Sequence, residues 1–428
     1  VSFEQSTDTP RVGIIISMFP ELHETFILRE LVALEKRGLQ FDIYSLQYPR
    51  DPITIDDAIR LSEQRTYYSR LFSLATMASF AKHLLRHPIT MLSSIAKVCW
   101  QGKDRPMDVI KNLAILPLSL HIADVGRQRG VVHWHGHWAN IPTTACWYIS
   151  RFSKQQWSAA IHGEDIFSAN NFLRYKLDSA AFSVVCSGYF CDHLKTQLGL
   201  QQPEHVHLNY HGLDPRVVER EPYQKTAGSG PATIVSIGRM VPTKGHDVLI
   251  KALAKAKASL PIIPTLKFIG SGPIEQELKE LAVQQGVADH IEFCGALAFE
   301  DVLQTLESAD LFCLAPRLIP GHPPDGIPNV IAEAMALGVP VLTTRVSAIP
   351  ELVEEGVSGK LVEVDDVNAF AEALIELISD QPRRERIGDA ARQKVDTLFN
   401  QQNNISELLE LFDQYAPQVA NCYNKSPS

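Results

Sequence analysis

A chain of 428 residues exceeds what one hydrophobic core usually holds, about 100 to 200 residues per domain, so two domains are expected. With 45% hydrophobic and 21% charged residues, 24 Gly and 26 Pro, the composition excludes collagen-like, coiled-coil and largely disordered classes. A net charge of −9 argues against a dedicated nucleic-acid binder. The seven Cys lie far apart, mostly in apolar runs, and read as reduced thiols of a reducing compartment; none has the spacing of a zinc knuckle or redox dithiol. The first ten residues have neither a basic start nor an apolar stretch, so no secretion signal is expected and a cytoplasmic location is. The longest candidate for membrane burial, Leu71 to Ala81, is too short to span a bilayer.

In chain order, short β-branched or aromatic runs alternate with helical segments, which predicts an α/β protein of two doubly wound, Rossmann-like halves with a cleft between them. Strands are expected at Arg11 to Ser17, Phe41 to Leu46, Val131 to His135, Ser158 to Ile161, Phe182 to Cys186 and Val206 to Tyr210. Residues 55 to 128 repeat their apolar residues at helical spacing and read as a helical insertion. After a charged, Gly- and Pro-containing linker, further strands are expected at Thr233 to Ile237, Thr265 to Ile269, Ile291 to Phe293, Leu311 to Leu314, Val341 to Thr343 and Lys360 to Val362. The implied organisation is an N-terminal domain over 1–214, a linker over 215–231, a C-terminal domain over 232–390, and a last helix, Ala391 to Tyr415, crossing back within 391–428.

Three loops of the second half carry chemistry. Gly238-Arg239 and Lys244-Gly245 place two cations five residues apart after a strand, a pattern suited to a diphosphate and distinct from both Walker and dinucleotide loops. Gly270-Ser271-Gly272-Pro273 follows the next strand and would let a flat ring approach the backbone. Asp325-Gly326-Ile327-Pro328-Asn329 opens a short helix that carries Glu333 two turns in, so outward amides and two carboxylates suit a hydroxyl-rich ligand. The same acids also read as a helix cap and a solvated side chain.

In the first half, Glu24 and Thr25 open the first helix. His133, His135 and His137 alternate along a strand beside Trp134 and Trp138, which allows a metal reading, a structural one, or a sugar-binding wall. His162-Gly163 ends another strand.

Together these motifs resemble the family-four retaining glycosyltransferases of the GT-B fold, over Thr233 to about Val364. The resemblance implies that Arg239 and Lys244 hold a donor diphosphate, Glu333 the ribose, and Asp325 with the Gly326 to Pro328 amides the transferred hexose. Asp325 departs from the Glu most members carry. His162 would face the transferred sugar, while Glu24, Thr25, the three His and Trp138 would serve the acceptor. His211-Gly212 resembles the turn that leaves the first domain, with a structural role. The Phe19-Pro20 and Glu24-Thr25-Phe26 segment is similar to exopolysaccharide enzymes of the colanic-acid and amylovoran type. Implied are a nucleotide-sugar donor, a glycan or lipid-linked oligosaccharide acceptor, no metal and no cofactor. Other readings are a catalytically weak partner subunit and a nucleotide-sugar epimerase; a phosphorylase would need a pyridoxal phosphate site for which no feature is visible.

Between Arg60 and Gly130 stand eleven cations and four acids, so this segment is +7 while the rest of the chain is −16. With its interspersed Leu, Met, Phe and Trp100 it reads either as basic amphipathic helices for an anionic membrane surface or as a helical cover whose cations face water.

Overall fold

The computed structural model describes residues 9–21, 24–68, 70–167, 171–220, 230–322 and 324–423. The chain divides into two compact units, Val1–Gly212 with Gln401–Ser428, and Leu213–Asn400.

The first unit is built on a parallel sheet of seven strands among the described residues: β1 (Arg11–Met18), β2 (Phe41–Gln47), β3 (Thr66–Tyr68), β4 (Val131–His137), β5 (Trp157–Ile161), β6 (Ser183–Val185) and β7 (Val206–Leu208). Their order is β3-β2-β1-β4-β5-β6-β7, so the chain reverses its direction of winding between β1 and β4. Ile14, Ile16 and Val12 of β1 are buried together with Phe41, Ile43 and the helix Thr25–Lys36. The opposite face of the sheet packs on Leu118, Ile122, Trp134, Trp147 and Trp157. Sheets buried on both faces need nearly continuous apolar strands, as β1 has from Val12 to Ile16, while β2 buries Asp42 by pairing it with Arg11 and Arg129.

The second unit repeats the plan with β8 (Thr233–Ile237), β9 (Thr265–Ile269), β10 (Ile291–Gly295), β11 (Leu311–Leu314), β12 (Val341–Thr344) and β13 (Lys360–Val362), all parallel and ordered β10-β9-β8-β11-β12-β13. Its switch in winding falls between β8 and β11, where ligands of such sheets sit at the carboxyl ends.

Four sequence expectations change. The segment 55–128 is not wholly helical: β3 lies between the helices Asp56–Arg65 and Leu74–Arg86, three residues being too few to show a period of two. The start of the expected linker is folded: Pro215–Val218 is a helix capped by Asp214, and Arg220 is ion-paired to Glu300 and Glu307. Those charges belong to the second unit; 221–229 lie outside the described residues. The last helix is two, Gln381–Leu398 on the second unit and Gln401–Tyr415 on the first, a break hidden because Leu398 and Ile405 keep helical spacing across it. Finally, Leu71–Ala81 is not the longest apolar stretch: Pro106–Gln128 is long and apolar enough to cross a bilayer by length and composition, yet 56% of its most apolar window is buried inside the unit.

Candidate functional site

In the second unit, the loop after β8 and the loop after β9 are laced together. Gly238 N–H donates to the Ile269 carbonyl (3.0 Å) and Met240 N–H to that of Ser271 (2.9 Å). A Cβ on Gly270, whose φ is +125°, would lie 2.2 Å from the Gly238 carbonyl oxygen. The glycines at 270 and 272, expected to admit a ring, are thus first of all required by this contact between loops. The chain then makes a tight turn, Pro242–Lys244, and Gly245 takes φ +66° to open the helix His246–Ala256. A Cβ at Gly245 would sit 1.8 Å from the Ala315 carbonyl oxygen, so this turn lies directly on the end of β11.

That contact brings the two charged motifs together. Lys244 Nζ lies 2.7 Å from Asp325 Oδ2, although 81 residues separate them. Lys244 is mostly buried and Asp325 half-exposed, so the pair sits at a surface where a ligand can exchange with either partner. Arg239 is exposed beside it, with no ion pair among the described residues. Beyond Asp325, Gly326 and Ile327 are half-buried, Pro328 is buried, and Asn329 begins the helix Asn329–Ala336, whose Glu333 is buried. The structure therefore collects Gly238, Arg239, Lys244, Asp325 and the helix start at the carboxyl ends of β8 and β11. Arg317 was not foreseen: its guanidinium bonds the Pro242 carbonyl (2.8 Å), Asp365 (2.7 Å) and Asp247, and so fixes the Lys244 turn. Only three-dimensional proximity reveals it, since no sequence motif surrounds it.

In the first unit, the carboxyl ends of β4, β5 and β7 gather rings around Phe26. His211 stacks on Phe26 (4.5 Å between centroids), His162 meets it edge-on (4.8 Å), and Trp138 lies 4.7 Å from His162. Glu24 and Thr25, partly buried, precede Phe26 on the same helix start. His162 is 5% exposed, and neither ring nitrogen has a hydrogen-bond partner among the described residues. Burial, reinforced by His211, holds its pKa well below the ordinary range, leaving a neutral imidazole able to donate at one nitrogen and accept at the other. His211, expected to shape a turn only, belongs to this ring cluster.

The strand histidines are a correction. His133, His135 and His137 do share one face of β4, but that face is interior. His133 Nε2 and His135 Nδ1 both meet the Ser158 hydroxyl (2.8 and 2.7 Å), and Phe412 of the helix Gln401–Tyr415 packs against both rings. A returning helix from the end of the chain covers His133 and His135, and His137 is buried beside Glu30 and stacked on His162, so the three form no wall for a sugar. The three also do not converge as ligands: Glu30, with His135 and His137, forms one group whose ligand atoms lie within 4.8 Å of one another, and His162, Cys186 and His211 form another. Burial raises Glu30 to about 7, and its carboxyl lies 3.4 Å from His137 Nε2.

One cavity escaped sequence reasoning. About 580 Å³ open at the carboxyl ends of β1 and β2, lined by Ser17 and Gln47, by Arg105, Asp108 and Lys111, and by Asn140 and Phe172. Its residues come from six separate segments, which no local pattern joins.

Two parallel α/β units, each with its switch point at the loops just described, define a protein of the GT-B fold. The crystal structure of a glycosyltransferase from Rickettsia africae covers 95% of this chain and 99% of its own, with a TM-score of 0.70 at 16% identity. Residues 218–394 match the Glycos_transf_1 family, glycosyl transferases group 1. Among relatives, a GDP-mannose-dependent monoacylated alpha-(1-6)-phosphatidylinositol monomannoside mannosyltransferase of Corynebacterium glutamicum is 38% identical over 159 residues, 37% of this chain and 41% of that one. The amylovoran biosynthesis glycosyltransferase AmsK of Erwinia amylovora is 33% identical over 186 residues, 44% of this chain and 46% of that one. The chain thus spans about half the length of the relatives it matches.

Proposed function

We propose that this chain is a retaining hexosyltransferase that moves a hexose from a nucleotide-diphosphate sugar to a hydroxyl of a glycan or lipid-linked oligosaccharide during bacterial exopolysaccharide assembly, at the cytoplasmic side of the membrane. The observation that carries the reading is the Lys244–Asp325 pair at the β8–β11 switch point. In this reading the donor's diphosphate takes Lys244 and Arg239, which releases Asp325 to accept hydrogen bonds from the hexose hydroxyls. Glu333 accepts from the ribose, and the Gly326, Ile327 and Asn329 amides add donors at a helix start. Departure of the diphosphate develops negative charge between two fixed cations, and the departing oxygen takes the acceptor's proton on the same face, which retains the anomeric configuration. Removing one preorganised donor from such a site typically costs about 3 to 4 kcal/mol. Neutral His162 serves the transferred sugar as a hydrogen-bonding group, and the cavity beside Lys111 receives the acceptor. The names of the mannosyltransferase and the amylovoran enzyme support a nucleotide-sugar donor and a polysaccharide or glycolipid product. The test is incubation with a panel of nucleotide sugars and lipid-linked or free oligosaccharides, followed by nuclear magnetic resonance of the new linkage. Release of a nucleoside diphosphate with an axial-configured product is expected; donor isomerisation without transfer, or no turnover of any donor, would overturn the reading.

A further inference from the structure

The helices of residues 74–114 are apolar on the outer side as well as the inner one, where Phe80, Met91, Ile95, Val98, Val109 and Leu113 meet the core. In the helix Leu74–Arg86 the buried residues are Thr76, Ser79 and His83, while Leu74 is 92% and Leu85 82% exposed, with Met77 and Leu84 exposed between them. Helix Pro88–Gln101 buries Met91, Ser94 and Val98 and turns Ile89 (82% exposed), Leu92, Ala96, Cys99 and Trp100 (71%) outward. Helix Pro106–Ala114 buries Asn112 and exposes Met107 and Ile110. Within Pro88–Gln101, residues 89, 92, 96 and 99–100 follow helical spacing, so the apolar stripe runs the length of its outer side, and Leu85 adds to it from the end of the preceding helix, which His87 breaks. In water a surface helix keeps its outer side polar, and isolated exposed apolar residues would not line up this way.

Charge says what covers it. Among the described residues from 70 to 111, the exposed cations are Arg70, Arg86, Lys103, Arg105 and Lys111, against Asp104 as the exposed acid. Lys103 Nζ lies over the Trp100 ring at 5.6 Å, an aromatic and a cation at one level, as at a bilayer interface. Two of the cations counted from sequence are spent inside the fold: Lys82 pairs with Asp124 at 2.7 Å and Lys97 lies over Tyr175 at 4.2 Å. The apolar stripe, more than the total charge, is therefore the feature that a partner must match.

We infer that the outer face of helices 74–86, 88–101 and 106–114 docks into the headgroup and upper acyl region of an anionic lipid bilayer, lying on it without spanning it. The continuation Leu116–Gln128 is committed to the core through Leu118, Leu120 and Ile122, so the contact is lateral. The helix that exposes Met107 and Ile110 also supplies Arg105, Asp108 and Lys111 to the 580 Å³ cavity, which docking would bring to headgroup level. The inference rests on the surface of the first unit and stands apart from the reading of the donor site.

The experiment is vesicle flotation of the full chain with one-third phosphatidylglycerol in phosphatidylcholine, against phosphatidylcholine alone, at low and high salt. The wild type is expected to float with the anionic vesicles and to be retained in part at high salt, because apolar contact is not screened. Leu85→Ser, Ile89→Ser and Leu92→Ser combined should lower apparent affinity at least tenfold while leaving the melting temperature and nucleotide-sugar binding unchanged. An environment-sensitive fluorophore on the exposed Cys99 should shift to the blue with vesicles. Equal flotation of wild type and triple variant would overturn the inference. So would a wild type without vesicle affinity that sediments as a dimer and becomes monomeric on the same substitutions, since a second copy would then cover the face. Loss of nucleotide-sugar binding in the wild type would strike the donor reading alone.

Discussion

Acidification should unfold the first unit well before the pH at which most proteins fail. Burial pulls the imidazoles of His133, His135 and His211 down to about 3, and those of His137 and His162 well below their ordinary 6.5. The unfolded chain binds a proton at each of these positions below about pH 6.5, whereas the folded chain does not, so stability is lost as pH falls through that value. At about pH 5.5 each such imidazole costs about 1.4 kcal/mol, and five together about 7 kcal/mol. Glu30 acts in the opposite sense. Its folded pKa is raised from 4.5 to about 7, so between those values the folded chain keeps a proton that the unfolded chain has released. Going from about pH 7.5 to 5.5 this returns about 2 kcal/mol, leaving a net loss of about 5 kcal/mol, comparable with the whole stability of a typical domain. All five Trp, at 100, 134, 138, 147 and 157, lie in the first unit, so tryptophan fluorescence during urea unfolding reports on that unit alone. A free energy of unfolding that changes by less than about 1 kcal/mol between these pH values would refute the picture of uncharged buried imidazoles.

Arg239→Ala and Lys244→Ala should each lower turnover at least about tenfold, or 1.4 kcal/mol of transition-state stabilisation, measured as nucleoside diphosphate release. Glu333→Gln should weaken free nucleotide and nucleotide sugar alike in calorimetry, whereas Asp325→Asn should weaken only the sugar-bearing ligand; equal losses would end that division of roles. Gly245→Ala forces a Cβ onto the Ala315 carbonyl and should destabilise the second unit by at least about 2 kcal/mol, read by scanning calorimetry. Activity should survive a chelator, and loss in EDTA with rescue by zinc would turn attention to Glu30, His135 and His137.

Much of this protein is written in local sequence. Six apolar runs in each half, separated by helical spacing, are enough for two parallel α/β sheets, because a strand buried on both faces must be apolar throughout, as Ile14 to Ile16 and Leu311 to Leu314 are. Gly238-Arg239, Lys244-Gly245 and Asp325 to Glu333 were legible for the same reason: each is a short loop at a strand's end, where a few adjacent residues fix both backbone and charge. What the tertiary structure alone decided involves partners far apart in the chain. That Lys244 meets Asp325, and that Arg317 fixes the turn between them, depends on β8 and β11 being neighbours in the sheet. That His133 and His135 are interior depends on Phe412 of a helix nearly three hundred residues later. The outer face of helices 74–101 is the sharpest case. Period alone shows that such a helix has two faces, but which of them turns inward is set by what it packs against, and here Ser79 and His83 are drawn in beside His121 and Asp124 while Leu74, Leu84 and Leu85 are left outside.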